Sequence, residues 1–249
     1  MDGSSAARRS RRPATAVVVA AVVLSALVAG CTSSPGTGGT TGTTVPSTFS
    51  LVVLGDSLSS APELIAARSR WQDLVADRVA APSGVRSHLA DGVAGWNVAE
   101  RNGPVAVDHW DGTWGGFTSL SYAGQPWFLP PVGAPGLLVL ALGANDVAVD
   151  AAPADYAANL RALLDNYSDT ACLVVFPWWP ASRPSAGAWS AAAAGAAAQR
   201  GCGFVDVGSA VGPPVQGVTA RDDIHPNVLG QQLWADALMP EVTALTGRG

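Results

Sequence analysis

The sequence predicts an α/β domain in which helices cover both faces of a parallel sheet. Three observations support this. From residue 49 onward, short apolar runs alternate with longer Ala-rich stretches of helical composition, the signature of strand–helix units. Most of the runs lack a polar residue at every second position, as strands buried on both faces do. Prolines stand at residues 62 and 153, where a first helical turn accepts them.

In chain order, the strand candidates are "FSLVVL" (49–54), "VRSHLA" (85–90), "LLVLAL" (137–142), "CLVVF" (172–176) and "GFVDV" (203–207). They make a sheet of about five strands. Helical composition fills 62–80, 153–167, 185–200 and 227–245. The segment 91–136 breaks the spacing; it is long, rich in Gly, Trp and Pro, and reads as a functional loop region. The domain spans 49–249, a length that buries one sizeable core.

The residues before the domain predict export. "ARRSRR" (7–12) is a basic start, followed by an uncharged apolar run at 14–30 that ends in small residues before Cys31. Seventeen residues lie at the lower limit for spanning a bilayer, so 1–30 fits a signal peptide better than an anchor. The tandem arginines leave the export route open between two systems. "LVAGC" (27–31) resembles a bacterial lipobox, in which the cysteine becomes the lipidated N-terminus. The stretch 31–48, nearly all Ser, Thr, Gly and Pro, cannot bury apolar surface. It reads as a flexible tether of roughly 20–25 Å, holding the domain at the outer face of the cytoplasmic membrane.

The chain contains three cysteines. With Cys31 lipidated, Cys172 and Cys202 remain as a possible pair in an oxidising compartment, or as two buried thiols. The net charge of −5, with 14 arginines and no lysine, gives no basic surface for nucleic acid.

Ligands of an open parallel sheet bind beyond the carboxyl ends of its strands. "GDSLSS" (55–60) follows the first strand, "DGVAGWN" (91–97) the second and "GANDV" (143–147) the third; "DDIHPN" (222–227) comes beyond the fifth. Each alone has a plain reading as a turn, a helix cap or a glycine kink. Together they bring Ser, Gly, Asn and His to one edge. In this order they resemble the blocks of the SGNH (GDSL-type) hydrolase superfamily, over about residues 49–245. The departures are "SLSS" after the serine block, where many members have a small pair, and the long insertion before the third strand.

The resemblance implies a three-layer α/β/α, flavodoxin-like fold and a serine esterase. It implies Ser57 as nucleophile and His225 as its base, with an oxyanion hole from the N–H groups of Ser57 and Gly95 and the amide of Asn145. Asp222 lies three residues before His225 and Asp223 two, and spacing alone favours Asp222 as the orienting acid. Asp56 and Asp146 are expected to brace loops. No cofactor or metal is implied; His88 and His109 lack ligand-spaced neighbours and read as satisfied polar residues.

The substrate is expected to be a small-molecule or glycan O-acyl ester of the envelope or exterior. A lipase- or thioesterase-like acyl hydrolase, or a non-catalytic binding lipoprotein, are the alternatives. Trp96, Trp110, Trp114, Phe117, Tyr122, Trp127 and Phe128 suit sugar rings, acyl chains or a small core of their own. "PWW" (177–179) is placed to wall the pocket.

Overall fold

A computed structural model describes residues 49–60, 69–80, 86–88, 107–124, 135–179, 186–215 and 217–248. The signal segment, the tether with Cys31, and residues 89–106 with Gly95 and Trp96 lie outside the described residues, as do Trp127 and Phe128.

The sheet has six parallel strands in the order β2-β3-β1-β4-β5-β6. They are β1 (Phe49–Gly55), β2 (Arg86–His88), β3 (Val107–Thr113), β4 (Leu137–Ala141), β5 (Cys172–Phe176) and β6 (Gly203–Asp206). Five correspond to the expected runs. β3 does not: it falls inside the segment 91–136, and it separates β2 from β1.

β3 escaped the hydrophobic pattern for a physical reason. His109, Asp111 and Thr113 alternate along it and are all buried. The face they share meets Arg70, Gln72 and Asp73 rather than aliphatic side chains. Arg70 Nη1 stands 2.7 Å from Asp111 Oδ2 and its Nε 3.1 Å from Asp73 Oδ2. Gln72 Nε2 donates to Asp111 Oδ2 at 3.4 Å, and His109 Nδ1 lies 3.6 Å from Asp73 Oδ1. Burial pushes the Asp73 carboxyl up, but His109 and Arg70 beside it outweigh burial and hold it below its ordinary value. Buried polar groups are tolerated when they partner one another, and a hydrophobicity scan cannot see that. His109, expected to be satisfied, has no hydrogen-bond partner at either ring nitrogen among the described residues, and the Asp73 carboxyl group stands beside it.

Side chains of the central strands alternate between two faces, both buried, and build two cores. Leu51, Val53, Leu137, Val139, Leu173 and Val175 face one layer, with Trp71 and Val75 of α2 (Trp71–Ala80) and Trp234 and Leu238 of α8 (Val228–Thr246). Val52, Leu54, Leu138, Leu140 and Val174 face the other. There they meet Tyr122 of α3 (Ser119–Ala123), Tyr156 and Leu160 of α5 (Pro153–Asp165), and Ala193 of α6 (Gly187–Arg200). The three-layer α/β/α fold follows. Cys172 and Cys202, at the starts of β5 and β6, are joined as a disulfide with Cα atoms 4.8 Å apart.

Three short helices complete the frame: α1 (Ser57–Ser60), α4 (Ala144–Ala148) and α7 (Val207–Val211). Register places Gly55 of β1 level with Thr113 of β3 and Ala141 of β4. The loops after these three strands therefore open at one edge.

Candidate active site

Gly55 must be glycine-like in size, because a Cβ there would come within 2.8 Å of Ser59 Oγ and 3.1 Å of Thr113. The chain then turns directly into α1. Asp56 caps it: its Oδ1 accepts the Leu58 N–H at 3.0 Å, and its carbonyl accepts the N–H groups of Ser59 and Ser60 at 3.1 Å. The N–H of Ser57 has no acceptor among the described residues. Burial pushes the Asp56 carboxyl up to about 7, opposed by the Leu58 N–H, reinforced by the charge of Asp146 and opposed again by the Ala144 N–H. The hydrogen bonds that Asp56 makes brace the Gly-Asp-Ser turn itself, while its Oδ2 has no hydrogen-bond partner among the described residues.

The histidine turn is built against residues 218–220. The Ala220 N–H donates to the His225 carbonyl at 2.7 Å, the Asn227 N–H to that of Val218 at 3.0 Å, and Thr219 bridges Pro226 antiparallel. Asp222 Oδ1 accepts two backbone N–H groups, from Ile224 and His225, each at 3.0 Å. Its other oxygen stands 2.5 Å from His225 Nδ1. The far ring nitrogen, Nε2, lies 2.8 Å from Ser57 Oγ. Burial pushes the Asp222 carboxyl up, but the His225 ring and the two backbone N–H groups outweigh it and hold it low. Asp223 instead adopts a left-handed φ of 59°, its N–H bonded to Ala220, with its side chain exposed. Of the two acids, the structure brings Asp222 to the His225 ring.

Asn145 enters from the loop after β4. Gly143 there has φ 134°, and a Cβ on it would meet Tyr156 Oη at 2.8 Å; only glycine fits. Asn145 Nδ2 donates to the Phe117 carbonyl at 2.9 Å, which leaves its second amide hydrogen for another acceptor. Asp146 points away, taking the Ser119 hydroxyl at 2.6 Å and the Ser119 N–H at 3.0 Å. Burial raises its pKa, against those bonds.

Gly95, the glycine expected to contribute to the oxyanion hole, lies outside the described residues. β1 neighbours β3, so the loop after β3, 114–117, lies beside the serine. A Cβ built on Gly115 would stand 3.9 Å from Ser57 Cβ. The Trp114 N–H donates to Gly55 and the Phe117 N–H to Trp114, while those of Gly115 and Gly116 have no acceptor among the described residues. The Gly-Gly pair right after the polar alternation of β3 was the signal that could have marked this loop.

The aromatic residues divide. Trp114 and Phe117 stack, with centroids 5.3 Å apart, and Tyr122 meets Phe117 edge-on at 5.1 Å. Tyr122 is fully buried, its hydroxyl 2.7 Å from the Gly55 carbonyl and 2.5 Å from that of Gly112. Trp178 is no pocket wall: it is buried, and its indole N–H holds the Ile224 carbonyl at 3.0 Å. Among the described residues, no group of three His, Cys, Asp or Glu side chains is arranged to hold a metal ion, and no helix is long and apolar enough to cross a membrane.

A serine after β1 in line with a histidine and an aspartate from the turn before α8 suggests one family, and its sequence model decides it: the GDSL-like lipase/acylhydrolase family matches residues 53–233. The chain belongs to that family. This GDSL-like hydrolase is an esterase or lipase of the SGNH superfamily. No curated protein matches its sequence. Among solved structures it is similar in fold to TesA, at 23% identity and a TM-score of 0.64, covering 79% of this chain and 99% of that one. It also resembles the psychrotrophic esterase EstA from Pseudoalteromonas sp., at 17% identity, TM-score 0.58, and coverage of 80% and 99%. The acetylxylan esterase Axe2 from Geobacillus stearothermophilus aligns at 16% identity, TM-score 0.57, and coverage of 80% and 95%.

Proposed function

We propose that this GDSL-like hydrolase cleaves O-acyl esters through an acyl-Ser57 intermediate. The observation that carries the reading is His225 bridging Asp222 at 2.5 Å and Ser57 at 2.8 Å. His225 Nε2 takes the Ser57 proton as Oγ bonds to the ester carbonyl carbon. The resulting imidazolium, steadied by Asp222, returns that proton to the departing alkoxide as the carbonyl reforms. Water then repeats the sequence on the acyl-enzyme, releasing acid and free serine.

The tetrahedral oxyanion calls for donors already aimed at it. The N–H of Ser57, a peptide N–H of the Gly115–Gly116 turn and the Asn145 amide are the groups assigned here. The turn is proposed for this role because it follows β3, the strand that adjoins β1.

For the natural substrate we favour an O-acyl group on a carbohydrate or envelope polyol, met outside the cytoplasmic membrane by a chain anchored through lipid on Cys31. The stacked Trp114–Phe117 pair beside the Gly115–Gly116 turn offers an aromatic face for a sugar ring. An acyl-chain hydrolase is the second reading, favoured by Ile224, 38% exposed directly before His225.

The test is labelling with a fluorophosphonate followed by peptide mapping, alongside hydrolysis of p-nitrophenyl acetate, longer p-nitrophenyl esters and acetylated oligosaccharides. Label on Ser57, lost together with hydrolysis in Ser57→Ala, is the expected result. Label on Ser59 or Ser60, or an active Ser57→Ala protein, would overturn the assignment. Rates rising steeply with chain length would favour the acyl-chain reading. Labelled fatty acid should enter the wild-type protein and not Cys31→Ser; equal incorporation in both refutes the anchor.

A further inference from the structure

Nucleophile and base come from turns 168 residues apart in sequence, and each turn is short. A 2.8 Å bond between them persists only if something fixes both backbones to a common support. α1, with four residues, cannot satisfy its own last carbonyls, and α2 begins with N–H groups that have no partner in their own helix.

One side chain serves both. Gln231 is fully buried in the first turns of α8, the helix that starts three residues after His225. Its Nε2 donates to the Leu58 carbonyl at 3.1 Å, one residue from the nucleophile. Its Oε1 accepts the Trp71 N–H, at the start of α2, at 2.7 Å. The amide orientation is dictated by these partners, since the reverse would set N–H against N–H and oxygen against oxygen.

The other end of the support is equally fixed. The Gln231 N–H donates to the Asn227 carbonyl at 2.8 Å. Asn227 caps α8 by accepting the Gly230 N–H at 3.0 Å, and its Nδ2 donates to the carbonyls of Gly217 at 2.9 Å and Thr219 at 3.0 Å. Gly230 admits no larger residue: a Cβ would approach the Val218 carbonyl to 2.2 Å. A continuous hydrogen-bonded path thus runs from the histidine turn through Asn227 and Gln231 to the serine turn. Gln72 adds a second tie, its Nε2 donating to the Ser59 carbonyl at 3.1 Å.

We infer that Gln231 is a positioning residue for the reaction, setting the distance between Ser57 Oγ and His225 Nε2 by clamping the serine turn to the helix behind the histidine. The inference rests on Ser57 and His225 acting as proposed above. Gln231 touches no reacting atom, so its loss should appear in the chemical step rather than in substrate binding. A displacement of about 1 Å in such a pair lowers turnover by about 100-fold.

The test compares Gln231→Leu, which removes both hydrogen bonds, with Gln231→Glu, which keeps an acceptor for Trp71 and removes the donor to Leu58. Leu160→Val, a packing change in α5 on the opposite face of the sheet, serves as a destabilised control. All are assayed well below their unfolding temperatures, at about pH 8, for kcat, KM and the rate of fluorophosphonate labelling. Both Gln231 variants should lose about 10- to 100-fold in kcat and in labelling rate, with KM within about threefold of wild type. The control should keep its kcat. If Gln231→Leu does not fold, the Glu variant decides alone. Wild-type kcat in a folded Gln231 variant overturns the inference, as does an equal kcat loss in the control. An inert Ser57→Ala beside fully active Gln231 variants would remove this inference only; an active Ser57→Ala would remove the reading beneath it.

Discussion

Replacing Asp222 by asparagine should disable the enzyme more severely than replacing it by alanine, and the structure supplies the reason. Asp222 Oδ1 already accepts two backbone N–H groups, from Ile224 and His225. An asparagine must therefore place its carbonyl oxygen there and turn its NH₂ towards His225 Nδ1. A donor at that position leaves Nδ1 only as an acceptor, so the ring proton moves to Nε2, the atom facing Ser57. The base then has no lone pair for the serine proton. A forced tautomer of this kind lowers turnover by up to about 10⁴-fold in a triad. The Asp222 side chain is 40% exposed, so water moderates the effect, and about 10²- to 10⁴-fold is expected. Alanine removes the charge but lets water occupy the site and either tautomer form. Losing an ion-pair attraction worth between about 1 and about 4 kcal/mol, from bulk water to a protein surface, corresponds to between about 5- and about 10³-fold. Asp223→Asn should lose less than about tenfold, because Asp223 is exposed and asparagine tolerates its left-handed backbone. The assay is steady-state hydrolysis of p-nitrophenyl acetate by the three variants. An asparagine variant at position 222 more active than the alanine variant would refute the tautomer argument. A larger loss at position 223 than at 222 would refute the pairing itself.

Three further outcomes follow from the same geometry. Reducing the Cys172–Cys202 bond, which closes a loop with sequence separation 30, should lower stability by about 3–4 kcal/mol in the chain-entropy view and leave kcat unchanged, since the cysteines lie at the starts of β5 and β6, away from the edge where the loops after β1, β3 and β4 open; two free thiols in protein from an oxidising compartment would refute the pair. Asp56 should take up a proton near pH 7, seen as a carboxyl resonance titrating there, and Asp146→Asn should move that titration to lower pH by removing a neighbouring negative charge. Because the folded value lies above the ordinary 3.8, the contribution of Asp56 to stability should fall as pH rises from about 4 to about 7 and stay level above that; an Asp56 titrating at its ordinary value would remove the argument. Gly143→Ala should destabilise the protein by more than about 1 kcal/mol, read by urea unfolding, because its φ of 134° and the nearby Tyr156 hydroxyl both oppose a Cβ; an unchanged midpoint would show that the loop relaxes freely.

The sequence by itself determined the layers, most of the strands, and the serine, asparagine and histidine loops. These are local facts: an apolar run buried on both faces, a proline at a helix start, Asp222 three residues ahead of His225. The choice between Asp222 and Asp223 was legible because a tight turn translates residue separation directly into direction. The tertiary structure alone decided what lies beside the serine. β3 is buried through polar contacts with Arg70 and the first turn of α2, so its burial left no trace in hydrophobicity, and the Gly115–Gly116 turn that follows it was not singled out. Trp178 looked like a pocket wall from its place after a strand, yet it packs inward and supports the Ile224 carbonyl. Gln231 could not be singled out from the chain at all, since its two partners, Leu58 and Trp71, precede it by more than 150 residues. Hydrogen bonds between distant segments carry no periodicity; they exist only once the sheet has brought those segments to one edge.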